Sequence, residues 1–148
     1  MPFRFPLQAV LRFRESFERR ERLRLQVITR EVVKARQESE DLKQERALAA
    51  KRLAENLGQG MTAVELQFEI ASDQSYLRRV AMLGDRIAKL EALRIRQLAE
   101  FRKAQQQRKI LENLRDRQMA AYRVDQDRRT QQQLDERFLI QHGRHVSG

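Results

Sequence analysis

Apolar residues recur at alternating steps of three and four along the first third of the chain. The series consists of Leu25, Ile28, Val32 and Ala35 and, after the polar Ser39, of Leu42, Ala49 and Leu53. This spacing keeps one stripe of a helix apolar and is typical of the seam of a coiled coil. The pattern therefore predicts a long amphipathic helix whose other faces are polar.

A second series with the same spacing follows further along the chain. It begins with Leu66, Ile70, Leu77, Val80 and Ile87 and then drifts through Leu90, Leu98, Phe101, Leu111 and Leu114. A drift of the stripe around a helix predicts local changes in supercoil pitch. The chain thus carries two helix-forming segments with matching seams.

Glycine and proline set the boundaries of these helices. Pro6 suits the first turn of a helix, and neither Gly nor Pro follows until Gly58 and Gly60, so we predict a helix over residues 6–56 and a turn over 57–62. Thr62 and Glu65 then have the spacing of a capping box, which predicts a second helix over 63–140. Residues 141–148 are expected to form a flexible tail.

Folding the chain back at the glycines would pair residues whose numbers sum to roughly 119, and this register brings the two seams together. Leu53 meets Leu66, and Val32 meets Ile87. We therefore predict an all-α fold, a single long antiparallel two-helix coiled coil (an α-hairpin) over residues 1–148. Its longer second helix overhangs the first.

Composition agrees with a hairpin and adds a charge asymmetry. Of 148 residues, 41% are apolar and 35% are charged, with five Gly, two Pro and no Cys, which leaves little material for a globular core or for disulfides. The net charge of +10 divides into +6 over residues 1–36, −4 over 37–76 and +8 over 77–148. An acidic turn and basic termini suit two different partners.

The sequence offers little for catalysis, so we expect no enzyme, no cofactor and no metal. It has no phosphate-binding glycine loop, and His142 and His145 have no nearby Cys to complete a zinc site. Nucleic-acid binding is an alternative suggested by clusters such as Arg19 and Arg20, although acidic residues are interspersed. The lack of a long apolar run or a secretory signal favours a cytoplasmic protein.

Four of the seven phenylalanines lie within the first 17 residues, on more than one face of the first helix. This segment carries more apolar surface than one neighbouring helix can cover. Its apolar residues include Phe3, Phe5, Leu7, Val10 and Leu11. Either these residues close the end of the coiled coil or they contact another protein. We favour partner contact, because exposed Phe on a thin protein is a liability without one.

At these residues the sequence resembles the FliJ family, small coiled-coil proteins of the bacterial flagellar type III export apparatus. The resemblance begins with Phe3, Phe5, Leu7, Val10, Leu11 and Arg14, passes through the turn and the Tyr76, Leu77 pair, and ends with Leu134, Asp135 and Glu136. The resemblance implies a stalk that inserts into the ring of the export ATPase and promotes its assembly. It also implies binding to the membrane export gate protein and to export chaperones, with the protein peripheral at the cytoplasmic face of the inner membrane.

We combine the charge pattern with the resemblance in one hypothesis about contacts. The basic end enters the ATPase ring through Phe3, Phe5, Leu7, Val10, Leu11, Arg14, Leu134, Asp135 and Glu136. The acidic end faces the gate, with candidate contacts at Leu42, Tyr76, Val80 and Leu83, although seam packing explains Leu42 and Val80 at least as well. The alternatives are a basic scaffold protein, a nucleic-acid binder, or the equivalent stalk of a virulence-type secretion system.

Overall fold

The protein is an all-α helical hairpin in which two long helices pack against each other. A computed structural model describes the backbone of residues 2–147 and the side chains of residues 2–144. Helix α1 spans Gln8–Gln59 and helix α2 spans Ala63–Ser147, and the described residues contain no strand. The predicted fold class is confirmed.

The first helix begins two residues later than Pro6. Pro6 and Leu7 form a turn, in which the Gln8 amide donates to the Phe5 carbonyl at 3.1 Å, and the Leu11 amide donates to the Leu7 carbonyl at 2.9 Å. Pro6 has no amide hydrogen to contribute to this turn, so its position just ahead of the helix costs no hydrogen bond.

The chain reverses over three residues, Gly60 to Thr62. Gly60 has φ of 95°, a left-handed conformation that favours glycine, and its amide donates to the Leu57 carbonyl at 3.4 Å. Gly58 remains helical, so Leu57 to Gln59 belong to α1 rather than to the turn predicted over 57–62. One left-handed residue is enough to end the helix.

The capping box at the start of α2 is present. The Glu65 amide donates to Thr62 Oγ1 at 3.2 Å, and the Thr62 amide donates to Glu65 Oε2 at 3.4 Å. These reciprocal bonds satisfy two amides that have no partner within the helix. The second helix therefore starts at Ala63, as the capping box predicts.

Gly60 and Gly84 both have open space where the Cβ of an alanine would lie, so replacing each of them by alanine tests the backbone conformation of the turn. Gly60→Ala should lower the free energy of unfolding by about 1 to 2 kcal/mol, because alanine is strained at positive φ. Gly84→Ala, in the exposed interior of α2, should instead raise it by about 0.5 to 1 kcal/mol. Urea denaturation of both variants measures these effects, and equal effects at both positions would contradict the assigned turn.

The second helix continues beyond the predicted end at Ile140, through the first seven residues of the segment expected to be a tail, to Ser147. The helix was predicted to end at Ile140 because this is the last large apolar residue of a recognisable stripe. Backbone hydrogen bonds do not depend on side-chain polarity, so the helix can continue without such a stripe. Gly143 within this segment weakens a helix without necessarily ending it. Gly148, the last residue of the predicted tail, lies outside the described residues.

Contacts divide the chain into two compact units. The turn unit comprises Arg19–Arg102 and includes the reversal. The terminal unit comprises the chain up to Glu18 together with the chain from Lys103 onward.

In the turn unit, burial along each helix follows a strict seven-residue repeat. On α1 the repeat is formed by Glu21, Leu25, Ile28, Val32, Ala35, Ser39, Leu42, Arg46, Ala49 and Leu53. On α2 it is formed by Leu66, Glu69, Asp73, Tyr76, Val80, Leu83, Ile87, Leu90, Arg94, Gln97 and Phe101. Each of these side chains is buried or half-buried. Within the turn unit the stripe on α2 thus keeps one frame, so the predicted drift is absent from this part of α2.

Two residues predicted for the seam of α2 lie beside it. Ile70 is 48% exposed and Leu77 is 45% exposed, whereas the neighbouring repeat positions are occupied by Glu69 and Tyr76. Leu66, Val80 and Ile87 are separated by multiples of seven, so they fix the frame and leave Ile70 and Leu77 on its flank. Both flank residues still line a shallow groove together with Ala49.

The antiparallel register is close to the predicted one. In the turn unit, Arg46 binds Asp73 and Arg86 binds Glu31, so the residue numbers of these pairs sum to 119 and 117. In the terminal unit, Arg14 donates to Gln107 at 2.6 Å, a pair that sums to 121. Other cross-helix contacts have higher sums, up to 127 for Arg36 with Glu91, so the predicted sum of roughly 119 lies within the observed range of 117 to 127.

Candidate functional site

The N-terminal aromatic segment closes the packed part of the terminal unit. Leu11 is fully buried, and Phe5 is 7% exposed. The Phe3 ring packs against the Tyr122 ring with centroids 5.6 Å apart. Of the predicted contact residues, Phe5 and Leu11 therefore belong to the core. Their apolar character is explained by packing within the chain, without any partner.

Other apolar residues of the same segment face outward. Leu7 is 39% exposed, Val10 is 42% exposed and Phe13 is 61% exposed. The Phe13 ring is stacked on the Phe17 ring at 6.4 Å, and the Arg14 guanidinium lies 5.8 Å from the Phe13 ring centroid. This exposed surface of the terminal unit is available to a partner.

The late predicted contacts form a separate surface on α2. Residues 127–144 are exposed, including Leu134, Asp135 and Glu136, and Asp135 accepts a hydrogen bond from Gln131 at 3.1 Å. Phe138, Leu139 and Ile140 add exposed apolar area. Leu134 lies 12 residues past Tyr122, roughly 18 Å along the helix at 1.5 Å per residue. The structure therefore does not bring Leu134 to the Phe3 contact with Tyr122.

A cluster of charged groups crosses the seam of the terminal unit. The Arg108 guanidinium binds the Glu18 carboxylate across the helix pair and the Glu112 carboxylate along α2. Only 6% of the Glu18 side chain and 20% of the Arg108 side chain are accessible. The hydrogen bond to Glu18 raises the pKa of Arg108 above its ordinary value, so the guanidinium stays protonated.

The turn unit has its own polar contacts across the seam. Gln97 donates to the carboxylate and the backbone carbonyl of Glu21, which is 4% exposed. Arg46 pairs with Asp73 at 2.7 Å, and this hydrogen bond lowers the pKa of the Asp73 carboxyl. The hydrogen bond from Arg94 likewise lowers the pKa of Glu91. The carboxylates of Asp73 and Glu91 thus accept hydrogen bonds from arginine side chains.

The four predicted gate contacts lie at seam positions of the turn unit. Leu42, Tyr76, Val80 and Leu83 are each half-buried. The Arg79 guanidinium lies 4.9 Å from the Tyr76 ring centroid and covers part of it. Packing between the helices is therefore sufficient to explain these four residues, and their contact with a partner stays a prediction.

Sequence reasoning missed the most exposed apolar residues near the reversal. Val64 is 75% exposed, Phe68 is 71% exposed and Leu57 is 50% exposed. Val64 and Phe68 border a surface depression together with Met61. Their signal was present in the sequence, because neither Val64 nor Phe68 fits the seven-residue repeat that starts at Leu66.

No part of the described chain resembles a metal centre or a membrane span. Among the described residues, no group of three or more His, Asp or Glu side chains is placed to hold a metal ion. His142 stacks on Phe138 with ring centroids 5.7 Å apart, and the side chain of His145 lies outside the described residues. A search of the described helices for a stretch long and apolar enough to cross a bilayer found none.

Comparison with known proteins gives one clear result. The family model described as the flagellar FliJ protein matches residues 3–147, which is nearly the entire chain. Neither the curated proteins nor the solved structures gave a significant match. The helical hairpin, the capped reversal and this end-to-end match agree, and the chain belongs to the FliJ family of flagellar proteins, non-enzymatic components of flagellar protein export.

Proposed function

We propose that this chain is a coiled-coil stalk of the flagellar type III export apparatus. The stalk inserts into the ring of the export ATPase and promotes assembly and activity of that ring. It also links the ring to the membrane export gate protein and to export chaperones. The observation that carries this proposal is the family match over residues 3–147 on a two-helix hairpin.

The terminal unit supplies the contacts with the ATPase in this proposal. Its exposed candidates are Leu7 just before α1, Val10 on α1, and Leu134, Asp135 and Glu136 on α2. Phe3 and Arg14 are half-buried and support this surface by packing and hydrogen bonding. The buried Phe5 and Leu11 maintain the fold, so they are unsuitable for testing a contact.

The turn unit faces the gate in the same proposal. Residues 37–76 carry a net charge of −4 in a protein of +10, which favours a partner surface of opposite sign. The exposed edges of Leu42, Tyr76, Val80 and Leu83 are the proposed contacts. Through the ring and the gate, the protein is peripheral at the cytoplasmic face of the inner membrane.

Co-sedimentation with the purified export ATPase tests the ring contact. The double variant Leu134→Ser, Glu136→Arg should weaken co-sedimentation about tenfold, because the loss of one central apolar contact and one charge pair typically removes that much affinity. Stimulation of ATP hydrolysis should fall with it. Helicity should be unchanged, because both side chains are exposed.

Met82→Ser is the matched control, since Met82 is 71% exposed and lies in the turn unit. This variant should bind the ATPase normally. If the unsubstituted chain neither sediments with the ATPase nor stimulates it, the stalk proposal is wrong. Concentration-dependent self-assembly without a partner would then favour a scaffold protein, and salt-sensitive retention of duplex DNA would favour a nucleic-acid binder. Binding to a virulence-type ATPase in preference to the flagellar one would assign the other secretion system.

A further inference from the structure

Over residues 19–36 of α1, both carboxylates contact α2, whereas several cations lie on the opposite side of the helix. Residues 19–36 contain seven cations and two carboxylates, Glu21 and Glu31. Both carboxylates contact α2: Glu21 accepts from Gln97, and Glu31 accepts from Arg86 at 3.5 Å. The two carboxylates of this stretch therefore take part in contacts between α1 and α2.

Three of the seven cations contact α2 or a carboxylate that itself contacts α2. Arg36 binds Glu91 at 2.6 Å, Arg24 binds Glu21 at 3.2 Å, and the Arg22 guanidinium lies 5.7 Å from the Phe101 ring centroid. The other four cations are exposed and occupy repeat positions on the side of α1 that faces away from the seam. They are Arg19, Arg20, Arg30 and Lys34.

Exposed aliphatic residues are interspersed with these four cations. Leu23 is 60% exposed, Val27 is 55% exposed and Val33 is 62% exposed. With Arg19, Arg20, Arg30 and Lys34 they form what we call the outer face of α1, which extends over residues 19–34. Fifteen residue steps correspond to roughly 22 Å along the helix. No carboxylate lies on this outer face in the described structure.

We propose that the outer face of α1 binds directly to the surface of an anionic lipid bilayer. A helix with cations around a few exposed apolar residues lies in the interface, where cations meet lipid phosphates and aliphatic groups enter the headgroup boundary. This contact uses the chain's own residues, whereas the proposed stalk function involves the membrane only through protein partners. The inference does not depend on that function.

The shape and chemistry of the outer face favour a bilayer over two other anionic ligands. A straight stripe of side chains matches a flat surface with distributed charge. A duplex would leave Leu23 and Val27 facing phosphates, and a single strand would find no aromatic side chain on this face to stack on its bases. A specific acidic protein is expected to use aromatic anchors in a pocket, and the exposed apolar residues here are aliphatic.

The expected binding is reversible and sensitive to salt. Each Lys or Arg near an anionic leaflet contributes roughly a fivefold gain in partitioning, and this gain falls as salt screens the charges. Three exposed aliphatic side chains add a smaller contribution that salt does not screen. The face therefore suits a protein that exchanges between the membrane surface and other partners.

Vesicle co-sedimentation of the full chain tests the inference. The probes are vesicles of mixed phosphatidylglycerol and phosphatidylcholine, with pure phosphatidylcholine vesicles as the reference. The unsubstituted chain should bind only the anionic vesicles. Arg20→Glu with Arg30→Glu should reduce the partition coefficient by about tenfold or more, because two attractions become repulsions. Circular dichroism should show unchanged helicity for this variant.

A matched variant separates the outer face of α1 from net charge alone. Lys89→Glu with Arg96→Glu makes the same change in charge at exposed positions of α2 in the turn unit, and it should leave vesicle binding largely intact. Leu23→Ser with Val27→Ser should weaken binding and make the remainder more sensitive to salt. Equal loss in both charge-reversal variants would overturn the proposal, as would a lack of binding to anionic vesicles at low salt. Tighter binding to duplex DNA that is unaffected by the serine variant would also overturn it.

Discussion

Arg108→Ala is expected to lower the free energy of unfolding by about 2 to 3 kcal/mol, one of the two largest effects that we predict for a single substitution. Removal of the guanidinium leaves the Glu18 carboxylate in the seam, with only 6% of its side chain accessible to water. A buried carboxylate that loses its guanidinium partner has less compensation for the hydration that it gave up on folding. We place the effect below the full cost of a deeply buried charge, since 20% of the Arg108 side chain is accessible.

Two control variants test whether the loss of stability in Arg108→Ala comes from the buried Glu18 carboxylate or would follow the loss of any ion pair. Arg129→Ala removes an exposed pair with Asp125 and should change stability by less than about 0.5 kcal/mol. The double variant Glu18→Leu, Arg108→Leu should be as stable as the unsubstituted chain or more stable, because apolar side chains pack in a seam without a desolvation cost. Chemical denaturation followed by circular dichroism measures all three. A double variant as unstable as Arg108→Ala would contradict this account.

Leu11→Ala is expected to cost about 3 kcal/mol, within the range for large-to-small changes at buried positions. Leu11 has no accessible surface, although a two-helix protein has few residues that can be so enclosed. Truncation removes its apolar contacts and opens a cavity between α1 and α2 in the terminal unit. The loss should appear as a lower midpoint in urea denaturation, with hydrogen exchange around Leu11 accelerated most.

Leu134→Ala is the matched control in the same unit. Leu134 is 53% exposed, so its truncation should change the free energy of unfolding by less than about 0.5 kcal/mol. A similar loss for Leu11→Ala and Leu134→Ala would mean that the residues after Tyr122 are packed rather than exposed. Comparable hydrogen exchange along the whole of α2 in the Leu11→Ala variant would instead indicate that the units do not unfold separately.

Local signals in the sequence were sufficient for the positions of the two helices. Pro6, Gly60 and the Thr62 to Glu65 box act on neighbouring backbone, so their effects can be read without knowing what packs against them. The antiparallel register was also predictable, because only one reversal point joins two seams of similar period. The end of α2 was not, since an exposed helix has no apolar stripe to mark its last turn.

The candidate contacts were less predictable than the fold. Phe5 and Leu11 resembled exposed partner contacts in the sequence, yet both are buried against α2. Conversely, Val64 and Phe68 resembled ordinary members of an amphipathic helix, yet they are among the most exposed side chains. Apolar character alone does not state whether a residue faces the partner helix or solvent, because a neighbouring helix decides which stripe is covered.

The sequence by itself determined the helices, their reversal and their antiparallel pairing, because these depend on local backbone preferences and on a repeat of seven. Only the tertiary structure decided which frame of that repeat faces inward. Steps of three and four allow Ile70 and Leu77, or Glu69 and Tyr76, to continue the stripe from Leu66, and packing against α1 selects the second pair. The same packing draws Glu21 and Glu31 inward and leaves Arg20, Arg30 and Lys34 exposed, which no one-dimensional charge count reveals.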